Sequence, residues 1–420
     1  MALRVQKFGG SSVADLPSMR RVAERVLQAW RGGDRVVVVV SARRGRTDAL
    51  LDLARQARSV DGRDGAAWEE RLPGDDREID ALLATGEQES AAVVALLLRS
   101  LGCPAVSFTG WQAGILTDSR HRMARVEAAA VDRIREALEQ GWVPVVTGFQ
   151  GIDREGDLTT LGRGGSDATA VVLAAALGAD SCEIYSDVAG VFTADPRVVP
   201  DARPLREISY DEMLELARLG AKVLQHRAVE YAREHGVVIE ARSTFEEAPG
   251  TRVLAHPGWA ESDRPVSGVT VDRETAKIAL LKVPDRPGVA AALFGALAER
   301  GINVDMIIQS VSRELLNDIA FTVARSDLAS AREASEEACR RLGGEGVLAD
   351  AGVAKLSVVG AGMVTHPGVA ATLFRALGES GINIEMIATS EISISCLIRA
   401  EHAEAAVRAV HAAFRLGREG

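Results

Sequence analysis

Aromatic side chains make up only 4% of the 420 residues, so the cores of this chain must be built from Val, Leu, Ile and Ala. Cysteine is also scarce. Cys103, Cys182, Cys339 and Cys396 share no metal-type spacing, which excludes a disulfide framework and a Cys-based zinc site. There is no HExxH and no Cys/His cluster, so no protein-held metal centre is expected. No His, Asp and Ser stand at a spacing that suggests a triad hydrolase. No apolar run has the length of a membrane span, and the start MALRVQKFGG has no apolar signal region. The expected location is the cytoplasm. Nor is there an excess of basic charge: 49 Lys and Arg against 59 Asp and Glu give a net charge of −10, which argues against general nucleic-acid binding.

From the N-terminus to about residue 245, short β-branched runs alternate with longer helical stretches. Strands are expected at 4–7, 36–40, 105–108, 143–147, 181–185 and 237–241. Helices are expected at 19–30, 49–58, 79–99, 122–140, 168–177 and 210–216. Continuous apolar strands such as VVVVV suit a sheet buried on both faces, and the alternation suits a three-layer α/β sandwich with a mostly parallel sheet. Residues 246–267, rich in Pro, Gly and charge, read as a linker.

An internal repeat follows. DRPGVAAALFGALAERGINVDMI starts at Asp285, and THPGVAATLFRALGESGINIEMI starts at Thr365. Each copy reads as a Pro-Gly turn, an amphipathic helix, a Gly-Ile-Asn turn and a strand. A short strand precedes it, and a further strand and helix follow. With one closing strand, each unit would be a small ferredoxin-like domain.

In an open α/β sheet, ligands bind beyond the carboxyl ends of the strands, so the residues after each strand matter most. After the first strand comes Lys7-Phe8-Gly9-Gly10-Ser11-Ser12, whose glycines let backbone N–H groups approach a phosphate. An ordinary tight turn with a solvated Lys7 reads equally well. LTTLGRGGSDATAVV places three glycines and Arg163 ahead of Ser166 and Asp167, at the start of a long apolar helix. A helix N-terminus is a ready anion site. Capping by Ser166 or Asp167 explains one polar residue but not the loop upstream. On pattern alone, Glu87 is an ordinary helix position and Lys222 a surface lysine.

Taken together, KFGGSSV, TTLGRGGSD, CEIYSDVAGVFTADPR, ISYDEMLELARLGAKVL and the duplicated GVAA…GIN…MI segments resemble the aspartokinase family, in order, over nearly the whole chain. The resemblance is to monofunctional aspartokinases, since the remaining residues cannot hold a fused dehydrogenase. It implies an amino-acid kinase (carbamate kinase-like) sandwich at 1–245, the linker at 246–267, and two ferredoxin-like ACT domains at 268–345 and 350–420. It implies phosphorylation of the aspartate side-chain carboxylate by ATP with Mg2+, and feedback by lysine, threonine or both. The expected assembly is a homodimer or higher oligomer, with room for a short ACT-only subunit.

The family's roles then fall on particular residues. Lys7 and Asp167 would be catalytic. Lys7, Phe8, Gly9, Gly10, Ser186, Asp187, Phe192, Thr193, Ala194, Asp195, Pro196, Arg197 and Lys222 would hold the nucleotide. Ser41, Thr47, Glu87, Arg163, Gly164, Gly165 and Ser166 would hold aspartate, with Glu87 on its ammonium group and Arg163 on a carboxylate. Asp285, Gly288, Val289, Ala290, Asn303, Asp305, Met306, Asn383 and Ile384 would form the effector sites. An aspartate carboxylate is already ionised at neutral pH, so no general base is required. Two departures stand out. The family pattern Ser-Ala-Met-Gly-x-Thr-Thr-Asp reads here Ser41-Ala42-Arg43-Arg44-Gly45-Arg46-Thr47-Asp48, and Trp111 stands where a serine is usual. Two rivals remain at this stage. One is a kinase of acetylglutamate, glutamate or a nucleoside monophosphate. The other is a catalytically inert amino-acid sensor.

Overall fold

The computed structural model describes residues 1–58, 74–221, 223–258, 265–310 and 315–417, in two compact units. The first holds Met1–Val191, Pro204–Ala217 and Lys222–Trp259. Its elements run β1 (Leu3–Phe8), α1 (Leu16–Arg31), β2 (Arg35–Val40), α2 (Arg46–Arg58), α3 (Asp75–Ser100), β3 (Ala105–Phe108), β4 (Ile115–Thr117), β5 (Val126–Ala129), α4 (Asp132–Glu139), β6 (Val143–Thr147), β7 (Gln150–Ile152) and β8 (Leu158–Thr160). Then come α5 (Gly165–Leu177), β9 (Ser181–Ser186), β10 (Glu207–Ser209), α6 (Tyr210–Arg218), α7 (His226–His235), β11 (Ile239–Ser243) and β12 (Thr251–Leu254).

Eight strands form one sheet in the order β10-β12-β11-β9-β1-β2-β6-β3. All run parallel from β11 to β3, and β10 and β12 run the other way. Val36, Val38 and Val40 of β2 pack with α1 and α3 in one core, while α5 lies against β1, β2 and β9. The alternation of side chains along a strand sends Val37 and Val39 to the opposite face, and all five valines are buried. Each contributes about 2 kcal/mol of burial. Asp15 caps α1 by accepting the Ser18 N–H, with Pro17 in the first turn.

The register aligns the strand ends. Tyr185, Phe8, Val40 and Thr147 pair across β9, β1, β2 and β6, so four loops leave the sheet at one level. α3 is long and apolar enough to cross a membrane by length and composition. It is a core helix, with Asp80 and Glu87 buried on it and its apolar face on α1 and the sheet.

Two sequence expectations need correction here. Residues 122–131 are not helical: β5 pairs with β4, and only Asp132–Glu139 is a helix. Local propensity in an Ala- and Arg-rich stretch yields to strand pairing and to Asp80, which accepts the Arg122 N–H. The 246–267 linker also begins too early, because β12 adds to the main sheet through Ala241↔Thr251 and Ile239↔Val253.

The second unit holds Phe192–Arg203, Arg218–Ala221 and Ala260–Gly420. Its elements are β13 (Gly268–Asp272), β14 (Thr275–Pro284), α8 (Val289–Glu299), β15 (Val304–Gln309), β16 (Leu316–Ala324), α9 (Leu328–Leu342), β17 (Gly346–Asp350), β18 (Val353–Val359), α10 (Val369–Glu379), β19 (Met386–Thr389), β20 (Ser393–Arg399) and α11 (Ala403–Ala413). The two antiparallel sheets have the orders β15-β16-β14-β17 and β13-β18-β20-β19.

Each repeat gets its closing strand, but from different places. The first takes β17 from directly after its own second helix. The second takes β13, which precedes the first repeat in sequence. The boundaries 268–345 and 350–420 therefore shift: 268–272 belongs with the second sheet and 346–350 with the first. Met306, Val353, Met386 and Leu397 form a small cluster joining the two sheets, flanked by Lys277–Glu385 at 2.9 Å and by Lys355–Asp305.

Candidate active site

The aligned ends of β9, β1, β2 and β6 and the start of α5 bring most of the expected residues together. Lys7, the second-last residue of β1, is 9% exposed, and its Nζ lies 2.5 Å from Asp167 Oδ1 in the first turn of α5. The two side chains form a close, largely buried ion pair. Gly9 and Gly10 follow. A β-carbon on Gly9 would lie 3.5 Å from Lys7 Nζ, so the ammonium folds back over its own loop.

Ala42 links this loop to the next feature. A β-carbon on Gly10 would meet the Ala42 carbonyl oxygen at 3.0 Å, and the Ala42 N–H donates to Glu87 Oε1 at 2.9 Å. Glu87 is 3% exposed, and its Oε2 has no partner among the described residues. Burial pushes its carboxyl up to about 7, partly offset by the Ala42 N–H. A half-satisfied buried carboxylate beside a glycine loop is a natural receptor for a cation.

On the other side, Gly148 follows β6. A β-carbon there would sit 2.7 Å from Ser166 Cβ and Oγ, so only glycine lets the α5 terminus seat against β6. Phe149 next to it has φ 71°, a left-handed conformation rare for a bulky residue and common where function holds strain. Its N–H is taken by Thr169 Oγ1. Gly164, with φ 77°, turns the chain into α5, and Ser166 and Asp167 are buried in the first turn. Arg163 is exposed and has no ion-pair partner among the described residues. Ser41 and Thr47 are half-buried at the end of β2 and the start of α2. Ser186 is half-buried and Asp187 exposed after β9.

Other expected residues sit differently. The Phe8 ring is fully buried and stacks on Tyr185 at 4.8 Å, so only its backbone can face a nucleotide. Thr193 and Ala194 belong to the core of the second unit. The Thr193 hydroxyl contacts His411 Nε2 at 3.0 Å, and its N–H and carbonyl bond Arg203 and Val269. The side chains of both are thus engaged within that unit. Asp195 and Arg197 are exposed and pair with each other, Pro196 is exposed, and Phe192 packs on the same core. Lys222 lies outside the described residues.

Among the effector residues, Asp285, Gly288, Ala290, Asn303 and Asn383 are exposed. Val289 and Ile384 pack into the helix–sheet cores, and the Met306 side chain lies in the cluster between the two sheets. Of these, Val289 and Met306 are buried and Ile384 is half-buried. Asp305 is engaged by Lys355 and by Arg218 at 3.3 Å.

Sequence reading passed over several residues. Thr147, at the end of β6 on the same rim, has a buried hydroxyl without a partner among the described residues. Its signal was its place at a strand end. Asp80 accepts from Arg122 N, Thr160 N and Thr160 Oγ1 and meets His121, tying α3 to the small sheet of β4, β5, β7 and β8. His121, Asp153 and Asp157 also lie close together. His121 is held by Asp80, Asp157 by Arg77, and Asp153 by two backbone N–H groups. Glu183, 1% exposed, accepts from Arg4, Gln6 and the Tyr185 hydroxyl beneath the site. The three arginines that depart from the family pattern do not point at Glu87: Arg43 and Arg46 reach Glu89, and Arg44 reaches Asp187.

Residues 2–241 match the amino acid kinase family, and residues 277–340 and 356–414 each match the ACT domain. An aspartokinase of Thermus thermophilus is 49% identical over 99% of both chains. An aspartate kinase of Pseudomonas putida is 45% identical over 99% of this chain and 98% of its own. Aspartokinase III of E. coli, solved in complex with aspartate and ADP, matches with a TM-score of 0.76 at 28% identity, over 98% of this chain and 99% of that one. The same enzyme with lysine and aspartate also gives 0.76, at 27% identity. With an amino-acid kinase sheet, a glycine rim closed by Lys7 and Asp167, and two ACT sheets behind it in sequence, this chain belongs to the aspartokinase family.

Proposed function

We propose that the chain transfers the γ-phosphoryl group of ATP to the side-chain carboxylate of L-aspartate, in the cytoplasm, under feedback through its ACT repeats. One observation carries the site reading: Ala42 touches both the Gly9–Gly10 loop and Glu87. A phosphate-binding loop and a buried carboxylate therefore share one wall, which suits a nucleotide and an amino acid held side by side. Relatives named for this activity match the chain over nearly its full length.

The chemistry is mainly a matter of position and charge. The phosphates rest on Gly9, Gly10 and the N-terminus of α5, with Lys7 between them. Glu87 holds the substrate ammonium, and Arg163, exposed and unpaired among the described residues, takes the α-carboxylate as a two-pronged contact. The acceptor carboxylate, already ionised, then attacks the γ-phosphorus. The phosphorus–oxygen bond to the β-phosphate breaks, and ADP leaves. Mg2+ bound to ATP would offset its charge, and the exposed Asp187 carboxylate, a hard oxygen ligand, would help to hold it. Asp167 keeps the Lys7 ammonium aimed at the loop. The effector reading rests on the ACT matches and on the lysine complex of the E. coli enzyme.

The test is a coupled ADP-release or hydroxamate assay with aspartate, glutamate and acetylglutamate, adding lysine and threonine singly and together. Turnover with aspartate alone, reduced by one or both effectors, is the expected result. Turnover with acetylglutamate in its place, or none with any acceptor, would defeat the reading.

A further inference from the structure

Arg44 stands in the β2–α2 loop with its side chain 73% exposed. Its neighbours are committed elsewhere: Arg43 and Arg46 reach Glu89 on α3 at 3.2 and 3.4 Å, and Arg43 also donates to the Ala14 carbonyl. Arg44 turns the other way. Its backbone N–H donates to the Gly10 carbonyl at 3.1 Å, and a β-carbon on Gly10 would lie 3.7 Å from its Cα. The base of the side chain is thus fixed against the glycine loop. Its guanidinium lies 3.9 Å from Asp187 Oδ2, beyond the end of β9. Since β1 stands between β9 and β2, Arg44 spans the loop that follows β1 from one neighbouring strand to the other.

That outer contact is weak. At 3.9 Å it is longer than a hydrogen bond, and the two side chains are 73% and 57% exposed. A guanidinium held firmly at its backbone and loosely at its tip readily exchanges a lone carboxylate for a phosphate, which accepts two parallel N–H groups. The loop also calls for charge that Lys7 does not fully supply, because Lys7 is already matched by Asp167. We infer that Arg44 is a phosphate-binding residue, whose guanidinium passes from Asp187 to the phosphate chain when a nucleotide seats on Gly9 and Gly10. This rests on reading that loop as the nucleotide site.

Calorimetric titration of the full-length enzyme with MgATP, MgADP and adenosine tests it, using wild type, Arg44→Gly, Arg44→Lys and Lys7→Met. Arg44→Gly should weaken MgATP and MgADP binding about tenfold or more, the size of a lost charge-assisted contact. It should flatten the salt dependence of that binding and leave adenosine affinity and the KM for aspartate unchanged. Arg44→Lys should recover part of the loss. Unchanged MgATP affinity and salt dependence in Arg44→Gly overturn the inference, as does an equal weakening of adenosine, which would report a distorted loop. Lys7→Met separates the two readings. If it loses MgATP affinity while Arg44→Gly does not, the loop stands and only the role of Arg44 falls. If neither variant loses affinity, the loop reading fails with it.

Discussion

Lys7 Nζ and Asp167 Oδ1 stand 2.5 Å apart, although 160 residues of sequence separate a strand end from a helix start. Their side chains are only 11% and 8% exposed, so each charge depends on the other. Breaking such a pair from one side costs roughly 3–5 kcal/mol, because a buried charge is left without its counterpart.

Lys7→Met should therefore lower both stability and kcat, the latter by several orders of magnitude. The double variant Lys7→Met/Asp167→Asn removes both charges and should regain most of the melting temperature without regaining turnover. Thermal unfolding and the coupled assay, run on the same samples, separate the two effects. Turnover near wild type in Lys7→Met would remove Lys7 from catalysis.

Glu87 predicts a pH dependence with a defined sign. Burial raises its carboxyl from the ordinary 4.5 to about 7, so the empty enzyme carries it largely neutral below pH 7. An ammonium needs the ionised form. The KM for aspartate should fall as pH rises through about 7, and Glu87→Gln should raise that KM and abolish the trend.

The same shift works against stability. The folded state binds the proton more tightly than the unfolded chain does, so Glu87 costs stability as pH rises from about 4.5 to 7, by up to about 3 kcal/mol above that window. Glu87→Gln keeps an acceptor for the Ala42 N–H and should melt higher than wild type at pH 8, with little difference at pH 5. A lower melting temperature at pH 8 would contradict the buried, raised carboxyl.

Gly148→Ala should destabilise by about 1–3 kcal/mol, because its new methyl overlaps Ser166 at 2.7 Å and displaces the start of α5. Gly148→Ala/Ser166→Gly removes the two side-chain overlaps but leaves the Ser166 Cα 2.9 Å from the new methyl, so it should recover only part of the melting temperature. No recovery would show that the strain lies elsewhere.

In the ACT repeats, Asn303 is a better test of the effector site than Asp305. Asp305 holds Lys355, whose side chain is only 4% exposed, so removing it unsettles the contact between the two sheets. Asn303 is exposed at the turn before β15. Asn303→Ala should raise the concentration of lysine or threonine needed for half-inhibition and leave uninhibited turnover and melting temperature unchanged. Unaltered inhibition curves would place the effector elsewhere.

Much of this site was legible in sequence because its elements are local. KFGG and GRGGSD announce backbone that approaches an anion, and the valine run of β2 announces a strand buried on both faces. What was illegible depends on distant partners. Glu87 looks like any helix glutamate until Gly86 lets α3 approach Ala42, whose Cβ lies 2.9 Å from where a Gly86 side chain would begin. Thr193 sits in a segment that resembles a nucleotide loop, yet its hydroxyl meets His411, 218 residues away. The stretch 122–131 has helix-forming residues, and pairing with β4 overrides them.

By itself, the sequence determined the order of the α/β and ACT segments, the duplication, and the glycine loops, since strand burial, helix periodicity and turn chemistry are written in neighbouring residues. The tertiary structure alone decided that Lys7 meets Asp167, that Glu87 is buried and half-satisfied, and that β13 closes the second repeat while β17 closes the first. Charge pairing, desolvation and strand exchange depend on which residues become neighbours in space, and no local pattern in the chain specifies that.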